Sequence, residues 1–209
     1  DLRTHLQKNN FRFPCILKPS RETSGGANVK AVNSLEVLLS EMNNCNDLIV
    51  QEMIEQHEYL NEINPGINSI RSCLYRTENG KYKVINNSIR FGIHGGLDNE
   101  TAGGLVCNIN IDGTLNDYAV NKYAVKHTVH PNSKIVFSDV TIPYYDELNK
   151  TAEVLANQVP LSNLLSLDKN DNWRCLELNV RSQTIRFAQY AGKGFFGEYT
   201  DEVINKLMI

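Results

Sequence analysis

The 209-residue sequence holds no CxxC pair. Its five cysteines, Cys15, Cys45, Cys73, Cys107 and Cys175, are scattered and odd in number. This argues against zinc and implies no disulfide framework, so reduced thiols in the cytoplasm are expected. No apolar run approaches the length of a bilayer span, so no transmembrane helix is expected. Basic charge is not in excess: 21 Lys and Arg meet 24 Asp and Glu, for a net charge of −3. Nucleic acid is therefore a poor partner. The chain opens with neither an initiator Met nor the apolar stretch of a signal peptide, and a preceding segment is expected.

What remains is globular. Hydrophobic residues make up 41% and charged residues 22%, which excludes wholesale disorder. A chain of this size buries roughly 70% of its unfolded surface. Asparagine is in excess, with 26 copies, and reads first as genome composition or a loop-rich surface.

The pattern along the chain is α+β. Residues 1–10 read as helical. FPCILK (13–18) is a short apolar strand ending in Lys18, followed by a loop around Gly25 and Gly26. Ser34 caps a helix whose Leu35, Leu38, Leu39 and Met42 share a face. LIVQEM (48–53) is a buried strand. EQHEYLNEINPG is irregular or briefly helical. SIRSCLYR and YKVINNSIRFG form a hairpin across Glu78, Asn79 and Gly80. A glycine-rich loop occupies residues 92–104. LVCNINI then turns at Asp112 and Gly113, and short strands follow to residue 140. Residues 146–158 form an amphipathic helix capped within 141–146. LLSL and RCLELNV pair across a turn at 168–172, and a helix closes the chain from Thr200. This order predicts mainly antiparallel sheets in two lobes, residues 1–53 and 54–209.

Several residues can carry chemistry. Lys18 closes an apolar strand just before a Gly-Gly loop, which together make a physical phosphate grip. A strand-end lysine snorkelling to water beside an ordinary hairpin fits as well. Gln51 and Glu52 end a strand entering a hinge, where extended backbone offers adenine a donor and an acceptor; polar residues at a strand end are also common. Glu177 and Asn179 are two apart in CLELNV and lie on one face, an oxygen pair that suits Mg²⁺ or simply a solvent face. Arg71 and Arg90 sit inside apolar strands and Arg181 follows ELNV; each calls for a carboxylate or phosphate, by default a protein Asp or Glu. Of the histidines, His94, His127 and His130 read as surface or loop residues, and His57 stands out for lying just past the hinge. Asp98 and Asn99 share a loop with Gly103 and Gly104, where backbone approaches a ligand or merely turns tightly. Cys15 reads as an inert buried thiol.

In this order the motifs FPCILKPSRETSGGANV, LIVQEMIEQHEYL, NPGINSIR, IRFGIHGGLDNETAGG, INIDGTL, HPNSKIVF, TIPYYDEL and CLELNVRS resemble the ATP-grasp superfamily, most closely its sugar-transfer-associated (polysaccharide biosynthesis) branch, from about residue 11 to 209. The resemblance implies two α+β lobes that hold ATP between them and an ATP- and Mg²⁺-dependent carboxylate–amine ligase. In that chemistry an acyl phosphate forms and an amine displaces phosphate, here on a sugar acid or amino acid of a surface glycan. It implies Lys18 on the nucleotide phosphates, Ser24, Gly25 and Gly26 in the loop above them, and Gln51, Glu52, Met53 and Ile54 at the adenine hinge. Glu55 or His57 would lie near the ribose. Glu177 and Asn179 would hold Mg²⁺, and Arg71, Arg90 and Arg181 the transferred phosphate and the substrate carboxylate. Asp98 and Asn99 would meet the acceptor amine. Phosphoryl transfer of this kind is largely positioning and charge neutralisation.

One departure bears on activity. Relatives carry an Asp on the strand before E-x-N; aligning back from Trp173 puts Leu164 there, with Asp168 out in the turn. A nucleotide-binding domain without ligase chemistry is thus the alternative. An interaction domain whose Lys18 and Glu177 are plain surface residues is a third reading.

Overall fold

The computed structural model describes residues 4, 11–21, 28–44, 47–93, 98, 103–159, 164–170, 173–179 and 185–208, with side chains left aside for 164–170. Of the expected helix at 1–10 only Thr4, which is helical, is described, and Ser24, Gly25, Gly26, His94, Asn99 and Arg181 lie outside the described residues. The chain divides into two compact units, Asp1–Glu55 and Gln56–Ile209.

The first unit is a three-stranded antiparallel sheet, β1 (Cys15–Pro19), β2 (Lys30–Val32) and β3 (Leu48–Glu52), in the order β2-β1-β3, with helix α1 (Leu35–Asn44). Ser34 Oγ accepts the Val37 N–H at the start of α1, satisfying one orphan donor of the first turn. The apolar stripe of α1 then packs Leu38, Leu35 and Met42 against Cys15, Leu17 and Val32. Strand alternation leaves Ile16 and Lys18 on the face away from that core.

The second unit is built on a seven-stranded, wholly antiparallel sheet. Its strands are β4 (Ile70–Arg76), β5 (Tyr82–Phe91), β6 (Leu105–Ile109), β7 (Leu115–Val120), β8 (Lys126–His127), β9 (Leu164–Asn170) and β10 (Arg174–Asn179). The spatial order is β10-β9-β4-β5-β6-β7-β8. β4 to β8 form a meander. The chain then crosses by helix α3 (Tyr145–Ala156) and returns as the β9-β10 hairpin on the free edge of β4. Between β3 and β4 lies α2 (Glu58–Ile63), and α4 (Arg186–Tyr190) and α5 (Thr200–Leu207) close the chain. One sheet face carries the main core, where Ile70, Ile89, Phe91, Leu105 and Cys107 pack with Leu60 and Ile63 of α2 and Leu148 of α3. On the other face α4 sets Phe187 against Val106 and Val120, and Cys73 packs with Ala188 and Phe195.

Local chemistry explains the joints. Gly80 takes φ +80° in the β4-β5 turn, a conformation open to glycine without a Cβ penalty. Gly113 does the same between β6 and β7, with Tyr145 packed so close that a Cβ there would come within 3.0 Å of it.

Four expectations need correction. The helix α3 has no side-chain cap: Tyr144, in the left-handed region, precedes it, and Asp146 and Glu147 in its first turn offset the exposed N–H groups instead. Asp168 is not in a turn, because β9 runs on to Asn170. His130 is not a surface residue: it is fully buried, its Nε2 lies 3.0 Å from the Gly92 carbonyl, and Phe91 and Phe137 edge onto its ring. Nor is the asparagine excess confined to the surface: Asn64, Asn68, Asn86, Asn87 and Asn108 are all buried. Asn64 and Asn68 hydrogen bond to each other at 3.0 Å, and Gln56 Oε1 accepts both the backbone and side-chain N–H of Asn68.

Candidate functional site

In the first unit, Lys18 sits in the central strand opposite Ile49 of β3, and Gln51 lies opposite Ile16. Lys18 and Gln51 thus share the sheet face that turns away from the Cys15 and Leu17 core, while Glu52, opposite Cys15, alternates to the core side at the strand end. Lys18 is half-buried, as a long stem lying along apolar surface with its head in water should be. Met53 and Glu55 are exposed and Ile54 is half-buried.

In the second unit, His57 is used locally. Its Nδ1 accepts the Tyr59 N–H at 3.2 Å and caps α2, and its ring edges onto Tyr144.

The chemistry-bearing residues of this unit converge through strand register. Glu177 lies opposite Asp168, Asp168 opposite Arg71, and Arg71 opposite Ser88. Residues directly across a ladder are neighbours on one face. Asn179 is two residues beyond Glu177, in unbroken register with β9, and its side-chain amide donates to Glu177 Oε1 at 3.0 Å. The Arg71 guanidinium approaches the same Oε1 at 3.5 Å. Glu177 is half exposed, at 52% of its side chain, while Arg71 is largely buried. A bulge between Cys175 and Glu177 re-aims β10 at this point.

A second group stands beside it. The Ser69 hydroxyl donates to Asp98 Oδ2, and the Ser69 backbone N–H donates to the same oxygen at 2.8 Å. Arg90 Nε donates to the Ser69 hydroxyl oxygen at 3.0 Å, and lies 3.9 Å from Asp98 Oδ2. All three are buried or nearly so. The result is an arginine held in place by a serine and a carboxylate. The Asp98 carboxylate, expected to meet a substrate amine, is engaged by its own chain.

The arrangement offers one largely buried guanidinium, a half-exposed carboxylate, an amide and, by register, a further Asp. This set matches what Mg²⁺ takes from protein when phosphate oxygens complete the shell: one or two carboxylates and an amide or carbonyl oxygen. Among the described residues no three His, Cys, Asp or Glu side chains gather, so a closed structural site of the zinc kind is not built from them. Also among the described residues, no helix is long and apolar enough to cross a membrane.

Sequence reasoning missed Ser69 and Asp168. Ser69 precedes Arg71 by two in NSIR, so strand alternation was the available signal. Asp168 was hidden because LDKN reads as turn chemistry rather than strand.

Comparison with known proteins bears on the family and the fold. A family described as sugar-transfer associated ATP-grasp matches residues 16–203. No curated protein sequence matches. Among solved structures, the chain is similar to the ATP-grasp ligase PsnB complexed with minimal precursor, with 15% identity and a TM-score of 0.55 over 99% of this chain and 52% of that one. It is also similar to the biotin carboxylase domain of the Hydrogenobacter thermophilus 2-oxoglutarate carboxylase in complex with MgADP, ADP and bicarbonate. There the identity is 12% and the TM-score 0.52, over 94% of this chain and 38% of that one. The chain therefore spans about half or less of the length of these structures, and the likeness at such identity is one of fold.

Proposed function

The chain belongs to the sugar-transfer associated ATP-grasp family, and from that premise we propose that it works as an ATP- and Mg²⁺-dependent carboxylate–amine ligase. The observation that carries this reading is the cross-strand row of Arg71, Asp168 and Glu177, with Asn179 beside it. The substrate carboxylate attacks the γ-phosphorus of ATP, ADP leaves, and an acyl phosphate forms. An amine then attacks the acyl carbon, phosphate leaves with the bonding pair, and the amine gives up a proton. The product is an amide, on a sugar acid or amino acid destined for a surface polysaccharide made from cytoplasmic precursors.

In this reading Glu177, Asn179 and Asp168 hold Mg²⁺, which supplies neutralisation of phosphate charge. We take Asp168, opposite Arg71 and Glu177 in register, as the candidate for the further metal ligand in place of Leu164, which pairs with Tyr75 at the other end of β9; this supports the ligase reading over a nucleotide-binding domain without ligase chemistry. Lys18 and the Ser24-Gly25-Gly26 loop grip the phosphates, while Gln51, Glu52, Met53 and Ile54 meet adenine and Glu55 the ribose. Arg71, already beside Glu177, stabilises the transferred phosphoryl group, and Arg90 and Arg181 orient the carboxylate. Asp98 acts as a positioning residue for Arg90, and Asn99 remains the candidate for the amine. His57 is assigned to capping rather than to ribose.

The test is Mg²⁺-dependent ADP release with paired uronic acids and amino acids. Wild type should turn over with at least one pair, and Glu177→Ala should lose about 10²-fold or more, the scale on which losing one preorganised electrostatic contact acts. ATP binding without ADP release for every pair would sink the ligase reading and leave a nucleotide-binding domain. No ATP binding by thermal shift would sink both.

A further inference from the structure

Ser69 stands just before β4, and strand pairing carries on to it. Ile70 lies opposite Ile89, and one step further the Arg90 backbone N–H donates to the Ser69 carbonyl at 2.9 Å. Ser69 and Arg90 are therefore cross-strand neighbours on one sheet face, the face that carries Arg71 two residues along. Only 2% of Ser69 is exposed, so its polar atoms have to find partners inside the protein.

The Ser69 hydroxyl is committed at both ends. Its hydrogen goes to Asp98 Oδ2, and its oxygen accepts from Arg90 Nε at 3.0 Å and from Arg90 Nη2. An ionised carboxylate only accepts and a guanidinium only donates, whereas a hydroxyl does both. Arg90 Nε and Asp98 Oδ2 are 3.9 Å apart, too far for a direct hydrogen bond. The serine oxygen is what joins them, with an ionised group on each side to strengthen its bonds. Two donors of a rigid planar fork on one oxygen also set which edge of the guanidinium turns to Ser69, and hence how the group is aimed.

We propose that Ser69 is a positioning residue, the relay through which Asp98 aims the Arg90 guanidinium at the substrate carboxylate. This rests on the reading above in which Arg90 orients that carboxylate. A long side chain left loose has to be ordered when the substrate arrives; one already held does not, and the binding is tighter for it. Asp98 then acts through the Ser69 hydroxyl and touches neither the carboxylate nor the amine.

The experiment has two readouts on the full chain. The first needs no turnover: with ¹⁵N-labelled arginine, the Arg90 Nε–H signal is assigned by its loss in Arg90→Lys, and its exchange with water should be about tenfold faster or more in Ser69→Ala. The second uses any uronic acid and amino acid pair that releases ADP. Ser69→Ala should raise KM for the carboxylate about tenfold or more, with KM for ATP and for the amine within about twofold of wild type. Asp98→Ala should act on the same KM, and the double variant should be no worse than Ser69→Ala, because Asp98 has no other route to Arg90. Melting curves confirm folding; if Ser69→Ala unfolds, Ser69→Cys decides, since it keeps the bulk and loses the strong donor and acceptor. Exchange accelerated less than about tenfold overturns the proposal, and so does a carboxylate KM that stays put, an additive double variant or a raised amine KM in Asp98→Ala. No turnover by wild type with any pair sinks the ligase reading instead, and the exchange rates then judge the hold on Arg90 by themselves.

Discussion

Removing the Asp98 carboxylate should destabilise the second unit severely for a residue in a loop. Asp98 Oδ2 accepts two hydrogen bonds from Ser69, one from backbone and one from the hydroxyl, and it faces Arg90. Hydrogen bonds to a charged group contribute about 1.5–3 kcal/mol each. The Arg90 and Asp98 side chains are only 16% and 18% exposed, so little water replaces what is lost. Stripping one partner from a fully buried pair costs about 3–5 kcal/mol. The 3.9 Å separation and the residual exposure place this pair below that range. Asp98→Ala should therefore cost about 3 kcal/mol in total, and Asp98→Asn, which retains an acceptor but not the charge, about 1 kcal/mol. The assay is urea unfolding followed by fluorescence of Trp173, the one tryptophan, which lies in the same unit and donates its indole N–H to the Tyr144 carbonyl. Ser69→Ala and the double variant complete a cycle, and because all three groups share one network the costs should fall short of additive. An Asp98→Ala midpoint within about 0.5 kcal/mol of wild type would show that the carboxylate anchors nothing.

Three further outcomes follow from single residues. Burial pushes the His130 imidazole below its ordinary value, aided by Lys134 and opposed by the bond to the Gly92 carbonyl. The unfolded chain then takes up the proton first, so stability should fall as pH drops below about 6.5, by up to about 1.4 kcal/mol per unit; an unchanged pH slope in His130→Asn refutes this. Gly113→Ala should cost roughly 2 kcal/mol, because φ +85° strains a Cβ and Tyr145 lies 3.0 Å from where it would sit; a melting temperature equal to wild type would contradict it. Among the four described cysteines, maleimide should label Cys175 in the native protein and spare Cys15, Cys73 and Cys107. Burial raises the Cys107 thiol to about 12, and rapid native labelling at that residue by mass spectrometry would refute the placement.

Much of the fold was legible in one dimension because its signals are local. The turn at Glu78, Asn79 and Gly80 marked β4 and β5 as a hairpin, and the leucine spacing after Ser34 gave α1. Burial of particular polar residues was not legible. His130 and Asn87 are surface-like in composition, and only the packing of Phe91 and Phe137, or of Tyr145 and Asn149, puts them inside. The short helix α4 was missed for a similar reason. Five residues carry too little periodicity to register, and its stability comes from packing Phe187 on the sheet.

The candidate site divides the same way. By itself the sequence determined which strands carry Lys18, Arg71, Arg90 and the Glu177–Asn179 pair, since each is a strand-local pattern. It also determined the family, since eight motifs in order survive without any knowledge of contacts. The tertiary structure alone decided which residue pairs with Glu177. That depends on pairing register, and a shift of one residue moves every side chain to the other face. β9 joins β4 about ninety residues away in sequence, and the ladder sets Asp168, not Leu164, between Arg71 and Glu177. Ser69 and Asp98 came together for the same reason: a long-range backbone pairing brings a loop carboxylate to a buried N–H that must be satisfied.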